Sequence, residues 1–251
     1  MGRKGKSKII TKMQAVILAG GLGTRLRPLT YETPKPMVNV LGKPFLEHLI
    51  GMLKEKGFDN FIICSSYKSD KIRDYFGNGS KFGVRIEHSV ESSPLGTAGA
   101  VRNALFYLKD EFFVLNGDTY LDVDYEVIEE NFQHTGKTAM MVLYGGSEIP
   151  ERVDNVGIDG DGIVTEFNKG NSPDSKYGWA GIVLLKKKYV EKWRAGRSVT
   201  LEDEIFPELI KNKDLASCVE NTRYYDIGTL EKLRTFEEYL RGRKDIKKEG
   251  D

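Results

Sequence analysis

A glycine-rich stretch near the amino terminus carries the residue types that bind phosphate. Gly20, Gly21 and Gly23 lie within four positions directly after an apolar run, and Arg25 follows two residues later. Glycine lets backbone N–H groups approach an anion closely, and a basic side chain neutralises its charge. This combination predicts a cradle for the phosphates of a nucleoside triphosphate.

A lysine follows in an unusually restrained piece of chain. Lys35 lies between Pro34 and Pro36, and each proline fixes its own φ and removes a backbone donor. Such rigidity suits a lysine that must point at a ligand, although Lys35 and Arg25 could also be solvated surface cations. Nucleotidyl transfer requires mainly positioning and charge neutralisation from a protein, which these two cations would supply.

Two aspartates occur in similar contexts far apart in the chain. Asp118 follows an apolar run and the pair Asn116-Gly117, and Asp226 stands in the stretch Y-Y-D-I-G. Two carboxylates at strand ends suit Mg²⁺, which takes few protein ligands and completes its octahedron with water and phosphate oxygens. The alternative for Asp118 is a turn residue, because asparagine and glycine favour turns.

A second loop, E-S-S-P-L-G-T-A-G, begins at Glu91 and leads into a helix. Its small residues, including Pro94 and Gly96, would let a planar base lie against the backbone. An ionised carboxylate only accepts hydrogen bonds, and guanine offers adjacent N–H donors whereas thymine and uracil offer one. Glu91 therefore favours guanine if it faces the base. The alternative is a turn with a helix cap and a surface glutamate.

The elements that must position these residues alternate between strands and helices, which predicts parallel βαβ units. In the first half we expect strands at 14–19, 61–65, 84–90 and 111–115 and helices at 44–57, 71–76 and 97–108. The glycine loop and Asp118 then lie at the carboxyl ends of strands, where such sheets bind ligands. The fold class is α/β, a mixed and mostly parallel sheet flanked by helices.

The second half is richer in short strands. They are expected at 139–144, 156–159, 163–168, 180–185, near 217–220 and at 223–227, and helices at 187–195, 202–211 and 229–243. A Gly160-Asp161-Gly162 turn joins two of the strands. We expect a single domain over 13–243 that includes a β-rich lobe for a second substrate. A flexible basic extension at 1–12 precedes it, and a charged tail at 244–251 follows.

Composition excludes some classes of partner. Lys and Arg number 38 against 37 Asp and Glu, and this balance argues against a dedicated nucleic-acid binder. Neither a signal peptide nor a membrane span is expected. Cys64 and Cys218 lack a C-x-x-C spacing, so the default location is the reducing cytoplasm. The expected partners are small molecules. The sequence leaves open whether the chain forms a homo-oligomer.

Five motifs taken together resemble the sugar-1-phosphate nucleotidyltransferases. They are L-A-G-G-x-G-T-R-L-x-P, T-P-K-P-M, E-x-x-P-L-G-T-A-G, L-N-G-D and D-I-G-T, in this order between Gln14 and about Leu240. The pattern is most similar to the guanylyltransferases that act on D-glycero-α-D-manno-heptose 1-phosphate and mannose 1-phosphate, in the short form without a left-handed β-helix domain. The resemblance implies a Rossmann-like fold of the GT-A type.

The resemblance also implies a role for each matched residue. Catalysis would use Arg25 and Lys35 on the triphosphate, and Asp118 and Asp226 on Mg²⁺. The nucleotide, GTP by the base argument, would contact Leu18, Ala19, Gly20, Gly21, Gly23, Thr24, Glu91, Pro94 and Gly96. The sugar phosphate would contact Asn116, Gly117, Asp154, Lys169 and Trp179.

The sugar side departs from the family pattern. Where many relatives have E-F-x-E-K-P, this chain has E-F-N-K-G, so the register of Lys169 is open. Asp154 replaces a glycine, and Trp179 replaces an asparagine before Ala180-Gly181. Trp179 could stack on a sugar ring, although buried tryptophan usually serves packing. These changes leave the sugar's identity open.

Three other functions were weighed. A thymidylyl- or uridylyltransferase is disfavoured by Glu91, and a catalytically silent sensor is disfavoured by the intact set of Arg25, Lys35, Asp118 and Asp226. A nicotinamide dehydrogenase requires a different glycine spacing and leaves Asp226 without a role.

Overall fold

The fold is known from a computed structural model that describes residues 13–146, 154–170 and 176–249, with side chains as far as Arg243. The extension predicted for residues 1–12 lies outside this range. In chain order the strands are β1 (Met13–Leu18), β2 (Asn39–Val40), β3 (Lys43–Pro44), β4 (Phe58–Ser65), β5 (Arg85–Val90), β6 (Glu111–Asn116), β7 (Thr119–Tyr120), β8 (Ala139–Tyr144), β9 (Asn155–Ile158), β10 (Val164–Asn168), β11 (Tyr177–Lys186), β12 (Leu215–Glu220) and β13 (Tyr225–Asp226). The α-helices are α1 (Phe45–Glu55), α2 (Ser69–Phe76), α3 (Gly96–Asn103), α4 (Tyr125–Thr135), α5 (Lys187–Val190), α6 (Phe206–Lys211) and α7 (Leu230–Glu249).

Nine of the described strands form one sheet. One path through it runs β10-β9-β11-β6-β1-β4-β5, and β8 pairs with both β11 and β12. The pairs β6-β1, β1-β4, β4-β5 and β8-β12 are parallel, whereas β11 is antiparallel to β6, β8 and β9. The mixed, mostly parallel sheet predicted from the sequence is confirmed. The predicted β-rich part is continuous with it, because its strands join the same sheet.

Helices cover both faces of the sheet. Along β1, Ala15 and Ile17 point to a core shared with α1, α2, α4 and α7, whereas Val16 points to a core shared with α3, α5 and α6. Successive side chains of a strand face opposite ways, so a strand covered on both sides is apolar throughout. Because helices cover both faces, each strand is held in place in the sheet. The loops that follow the strands are therefore held in place as well.

Several helices differ from the sequence prediction. Helix α3 ends at Asn103 rather than near residue 108, and a 3₁₀ turn at Leu105–Tyr107 follows it. The predicted helix at 187–195 is the single turn α5, and a π-helical turn at Leu201–Ile205 precedes α6. Helix α7 continues beyond the predicted end at residue 243 to Glu249.

Helix α4 is absent from the prediction although its signals are present. Asp124 caps it by accepting hydrogen bonds from the backbone N–H groups of Glu126 and Val127 at 3.1 and 3.2 Å. Ile128 and Phe132 are spaced for one buried face.

Among the described residues, no helix is both long and apolar enough to cross a membrane.

Helix α7 packs through aromatic side chains, among them Phe236, against the two-stranded sheet of β7 and β13. Phe236 is fully buried, and its ring centroid lies 5.1 Å from those of Phe45 and Tyr120 and 6.0 Å from that of Tyr225. Tyr120 belongs to β7 and Tyr225 to β13, so this ring packs against the strand that follows Asp118 and the strand that contains Asp226.

We expect Phe236→Ala to lower the free energy of unfolding by about 3–5 kcal/mol, because it removes buried apolar surface and leaves a cavity. Urea unfolding followed by circular dichroism measures this change. The control is Phe106→Ala, whose side chain is 89% exposed and whose loss should change stability by less than about 0.5 kcal/mol. Similar values for the two variants would contradict the packing role of Phe236.

Candidate active site

A cavity of about 410 Å³ opens at the carboxyl ends of β1, β4 and β6. Eleven residues predicted from the sequence line it: Leu18, Ala19, Gly20, Gly21, Lys35, Glu91, Pro94, Gly96, Asn116, Gly117 and Asp118. The wall also contains residues that the sequence analysis did not select: Pro36, Cys64, Ser66, Thr97, Ala100 and Glu202. The structure thus brings together four of the five motifs, which are separate in sequence, around one space.

Two strand ends meet at the floor of this cavity. The N–H of Gly117 donates to the carbonyl of Leu18 at 2.9 Å. A Cβ added to Gly117 would lie 2.7 Å from that carbonyl oxygen, which is closer than real Cβ atoms come to other atoms. Glycine is therefore required here so that β6 can deliver Asp118 next to the glycine loop.

Lys35 and Asp118 form an ion pair on the cavity wall. Lys35 is 8% exposed and opens a 3₁₀ turn, Lys35–Met37, which Pro34 precedes. Its Nζ contacts Oδ2 of Asp118. Its Cβ would be 2.9 Å from a Cβ added to Gly23, whose φ is +61°. The glycine loop and the proline-flanked lysine are therefore packed against each other.

Asp226 reaches the same region through an antiparallel pair of short strands. In this pair Asp226 lies opposite Thr119, and Tyr225 lies opposite Tyr120. The N–H of Ile227 donates to the carbonyl of Asp118 at 3.1 Å. The two aspartates are therefore neighbours across the β7–β13 pair, although more than a hundred residues separate them in the chain.

The carboxylate of Asp226 is held by two donors. The N–H of Gly228 donates to Oδ1 at 2.8 Å, and Nζ of Lys232 lies 2.5 Å from Oδ2. Arg25 is exposed and reaches Gly228 from the glycine loop, so that a Cβ added there would lie 3.4 Å from its Nη2. Gly23, Thr24, Arg25 and Asp226 do not line the cavity itself, and Arg25 lies beside Gly228 and Asp226.

The carboxylates fit a hard divalent cation. The described residues contain no group of three or more His, Cys, Asp or Glu side chains that could hold a metal ion. Mg²⁺ is commonly bound by only one or two protein carboxylates, with substrate phosphates and water as the other ligands. Asp118, directly before β7, and Asp226, in β13, supply that number of carboxylates from neighbouring segments of backbone.

Glu91 lines the cavity beside the glycine loop. Its Oε2 accepts the N–H of Leu95 at 3.0 Å, and its Oε1 would be 3.4 Å from a Cβ added to Gly20. Burial raises the pKa of the Glu91 carboxyl, and the hydrogen bond from Leu95 partly offsets this shift. One carboxylate oxygen is thus anchored, and the other faces the glycine loop.

The loop after Glu91 is fixed by the segment that follows α5. Gly96 has a φ of +73°, and a Cβ there would collide with the carbonyl oxygen of Val199. That carbonyl accepts the N–H groups of Ala98 and Gly99 at 3.0 and 3.1 Å. The Thr97 hydroxyl donates to Glu202 at 2.8 Å. These contacts bring Glu202 to the cavity wall, where no local sequence motif had indicated it.

Of the residues predicted for the sugar side, Asn116 and Gly117 line the cavity, whereas Asp154, Lys169 and Trp179 do not. Lys169 forms an exposed ion pair with Asp203 at 2.5 Å. Asp154 is half-buried, and this burial raises the pKa of its carboxyl. The placement expected for Trp179 is corrected. Its ring is buried, its Nε1 donates to the carbonyl of Ile182 at 3.0 Å, and its centroid lies 5.2 Å from that of Phe206.

Comparison with known proteins identifies the family. The Nucleotidyl transferase family model matches residues 14–242. D-glycero-alpha-D-manno-heptose 1-phosphate guanylyltransferase from Campylobacter jejuni is 33% identical over 219 residues, which are 87% of this chain and 96% of that enzyme. Mannose-1-phosphate guanylyltransferase from Mycobacterium tuberculosis is 32% identical over 94% of this chain and 65% of that enzyme.

Solved structures agree with these relatives. The crystal structure of HddC from Yersinia pseudotuberculosis complexed with GMP-PN has a TM-score of 0.78 and 30% identity, and it covers 91% of this chain and 99% of its own. A putative glucose-1-phosphate thymidylyltransferase from Bacillus anthracis has a TM-score of 0.80 and 25% identity, with 91% and 95% of the two chains covered. The chain belongs to the nucleotidyl transferase family, and it is an enzyme of the sugar-1-phosphate nucleotidyltransferase type.

Proposed function

We propose that this enzyme transfers GMP from GTP to a sugar 1-phosphate of the heptose or mannose type, and that it releases pyrophosphate and forms a GDP-sugar. Glu91 carries the choice of base. Its carboxylate, on the cavity wall, accepts hydrogen bonds and donates none while ionised. Guanine presents its N1–H and N2–H₂ donors side by side, and the names of the guanylyltransferase relatives support the same choice.

The phosphates of the nucleotide are proposed to lie along the glycine loop. Gly20 and Gly21 line the cavity and expose backbone N–H groups without side-chain obstruction. Lys35 is positioned to neutralise charge that develops at the reacting phosphate. Arg25, beside Gly228 and Asp226, is positioned to bind the departing pyrophosphate, together with the backbone of Gly23 and Thr24.

Mg²⁺ is the proposed cofactor, held by Asp118 and Asp226. When bound, such an ion neutralises phosphate oxygens and orients the two substrates. The rest of the mechanism uses the chain's own groups. Lys35 is proposed to orient Asp118 through their ion pair, and the N–H of Gly228 and Lys232 orient Asp226.

The reaction is proposed to be a direct in-line substitution. A phosphate oxygen of the sugar 1-phosphate forms a bond to the α-phosphorus of GTP. The bond from that phosphorus to the bridging oxygen breaks, and pyrophosphate leaves with the electron pair. A phosphate monoester loses its second proton near pH 6, so the nucleophile is already an anion near neutral pH. No general base and no covalent enzyme intermediate is needed.

The sugar is proposed to lie beyond Asn116 and Gly117, on the side of Asp154 and Lys169. The electrostatic coupling of Asp154 with Lys169 and Glu202 supports a shared polar surface there. Trp179 is proposed to serve packing rather than sugar binding, because its ring is buried against Phe206. We also propose a cytoplasmic location, because Cys64 and Cys218 are both free thiols.

A second candidate, a thymidylyl- or uridylyltransferase, is favoured by two similarities. One is the Bacillus anthracis structure named above, and the other is a UTP--glucose-1-phosphate uridylyltransferase from Synechocystis that is 30% identical over 79% of this chain. That relative is longer, since this chain covers 55% of it. The nucleoside triphosphate that the enzyme accepts decides between the two candidates.

The proposed function is tested by a matrix of nucleotides and sugars. Purified enzyme is given GTP, ATP, CTP, UTP or dTTP with the 1-phosphates of heptose, mannose or glucose, and pyrophosphate release is measured. We expect GTP with the heptose or mannose compound to give the highest kcat/KM. Turnover restricted to dTTP or UTP would support the second candidate, and no turnover with any pair would support a silent sensor.

The role of Glu91 is tested by Glu91→Gln, which preserves shape but removes the charge and adds donors. We expect the preference for GTP over dTTP to fall about 10- to 150-fold, as for the loss of a hydrogen bond to a charged group. The control is Glu87→Gln, which changes a glutamate that pairs with Arg85 and does not line the cavity. An unchanged base preference in Glu91→Gln would show that another group reads the base.

The same variant should change the pH profile. Protonation of Glu91 removes its acceptor, and burial raises its pKa above the ordinary 4.5. In the wild type, kcat/KM for GTP should therefore fall on the acid side at a pH above that of an ordinary carboxyl. This inflection should be absent in Glu91→Gln.

A further inference from the structure

A lysine outside the recognised motifs contacts one of the two aspartates directly. Lys232 lies in the first turn of α7, and its Nζ is 2.5 Å from Oδ2 of Asp226. The Lys232 side chain is 34% exposed and that of Asp226 is 20% exposed. Charges that are partly withdrawn from water interact more strongly than those on an open surface, so this pair is more than an ordinary surface contact.

The backbone fixes Lys232 in this position. The N–H of Leu233 donates to the carbonyl of Thr229 at 3.0 Å, and the N–H of Lys232 donates to the Thr229 hydroxyl at 3.3 Å. Thr229 therefore begins α7 immediately after Gly228. Because a Cβ on Gly228 would lie 2.7 Å from Oδ1 of Asp226, the carboxylate folds back over this glycine towards the helix. Lys232 is the side chain that meets it there.

Each of the two aspartates thus forms an ion pair with a lysine. Lys35 pairs with Asp118, Lys232 pairs with Asp226, and Arg25 approaches Gly228 from the other side. A cation that binds between the carboxylates must compete with these positive charges. Phosphate groups have the opposite effect, because they are attracted by the same charges and bring oxygen ligands for the cation.

We propose that Lys232 is a positioning residue that orients Asp226 and keeps the affinity of the protein without nucleotide for a divalent cation low, so that the cation is held together with nucleotide phosphates. This inference rests on the proposed role of Asp118 and Asp226 as metal ligands. It does not depend on the base or the sugar. The orienting contact is the ion pair between Nζ and Oδ2, and the hydrogen bond from Gly228 holds the second oxygen.

The proposal is tested by the binding of Mn²⁺ alone to the purified full chain, measured by electron paramagnetic resonance without nucleotide. We expect Lys232→Gln to tighten Mn²⁺ binding about three- to tenfold, because it removes a positive charge a few ångströms from the site. Lys232→Arg, which keeps the charge, should stay within about twofold of the wild type. Circular dichroism and thermal unfolding of each variant verify that it is folded.

The matched control is Arg234→Gln, which removes the same charge from an exposed position two residues further along α7. Its Mn²⁺ affinity should be unchanged, and Asp226→Asn should weaken binding. An unchanged or weaker affinity in Lys232→Gln, or an equal tightening in Arg234→Gln, would overturn the role of Lys232. Unchanged binding in Asp226→Asn would overturn it too. None of these results depends on GTP, so a wrong choice of nucleotide in the proposed function would be recognised separately by the matrix.

Discussion

The pairing of β7 with β13 is the contact on which the candidate active site depends. Asp118 follows a central strand of the sheet, whereas Asp226 precedes the last helix, and only this short antiparallel pair makes them neighbours. The backbone hydrogen bond from Ile227 to Asp118 fixes their register. Phe236 supports the pair from α7 by packing on an aromatic residue of each strand. The last helix is therefore part of the site's framework.

The cavity is built largely from close backbone approaches. At Gly117, Gly23 and Gly96 an added Cβ would collide with a neighbouring strand, with Lys35 or with the carbonyl of Val199. These glycines let three separate loops meet without side chains between them. A site assembled in this way can present N–H groups and charged side chains to a nucleotide in positions that are fixed before it binds, which is the condition for strong electrostatic stabilisation. On the side of Lys169 the described contact is of a different kind, an exposed ion pair with Asp203.

Most of the cavity lining could be predicted from the sequence because its residues occur in contiguous motifs at strand ends. The alternation of apolar segments predicts parallel strands, and parallel strands bring their carboxyl ends to one edge. Lys232 and Glu202 could not be found in this way, because each reaches the site through a helix or π-helical turn whose placement depends on tertiary contacts. The orientation of the Trp179 side chain could not be predicted for a different reason. A bulge between Trp179 and Ile182, where Gly181 has a φ of +73°, decides which way the side chains of β11 face.

Helix α4 was predictable in principle, since Asp124 and the spacing of Ile128 and Phe132 are local signals. The early end of α3 could not be predicted in the same way. The apolar pattern continues through Leu105 and Leu108, although the backbone changes from an α-helix to a 3₁₀ turn there. The N–H of Ala104 is shared between the carbonyls of Ala100 and Val101, each at 3.2 Å, which marks the change to a 3₁₀ turn. Local periodicity shows which residues are buried, and tertiary packing sets where the helix stops.

The proposal that Asp118 and Asp226 share one cation is tested most directly by a double-mutant cycle on kcat. Asp118→Asn and Asp226→Asn should each lower kcat by on the order of 10³-fold, the equivalent of several kcal/mol of charge stabilisation. Asp161→Asn, in the exposed β9–β10 turn, serves as the control. If both carboxylates hold one ion, the double variant should lose little more than either single variant, because residues that act as a unit are not additive. Losses that multiply, so that the double variant falls by the product of the two, would show that the aspartates act independently and would contradict the shared site.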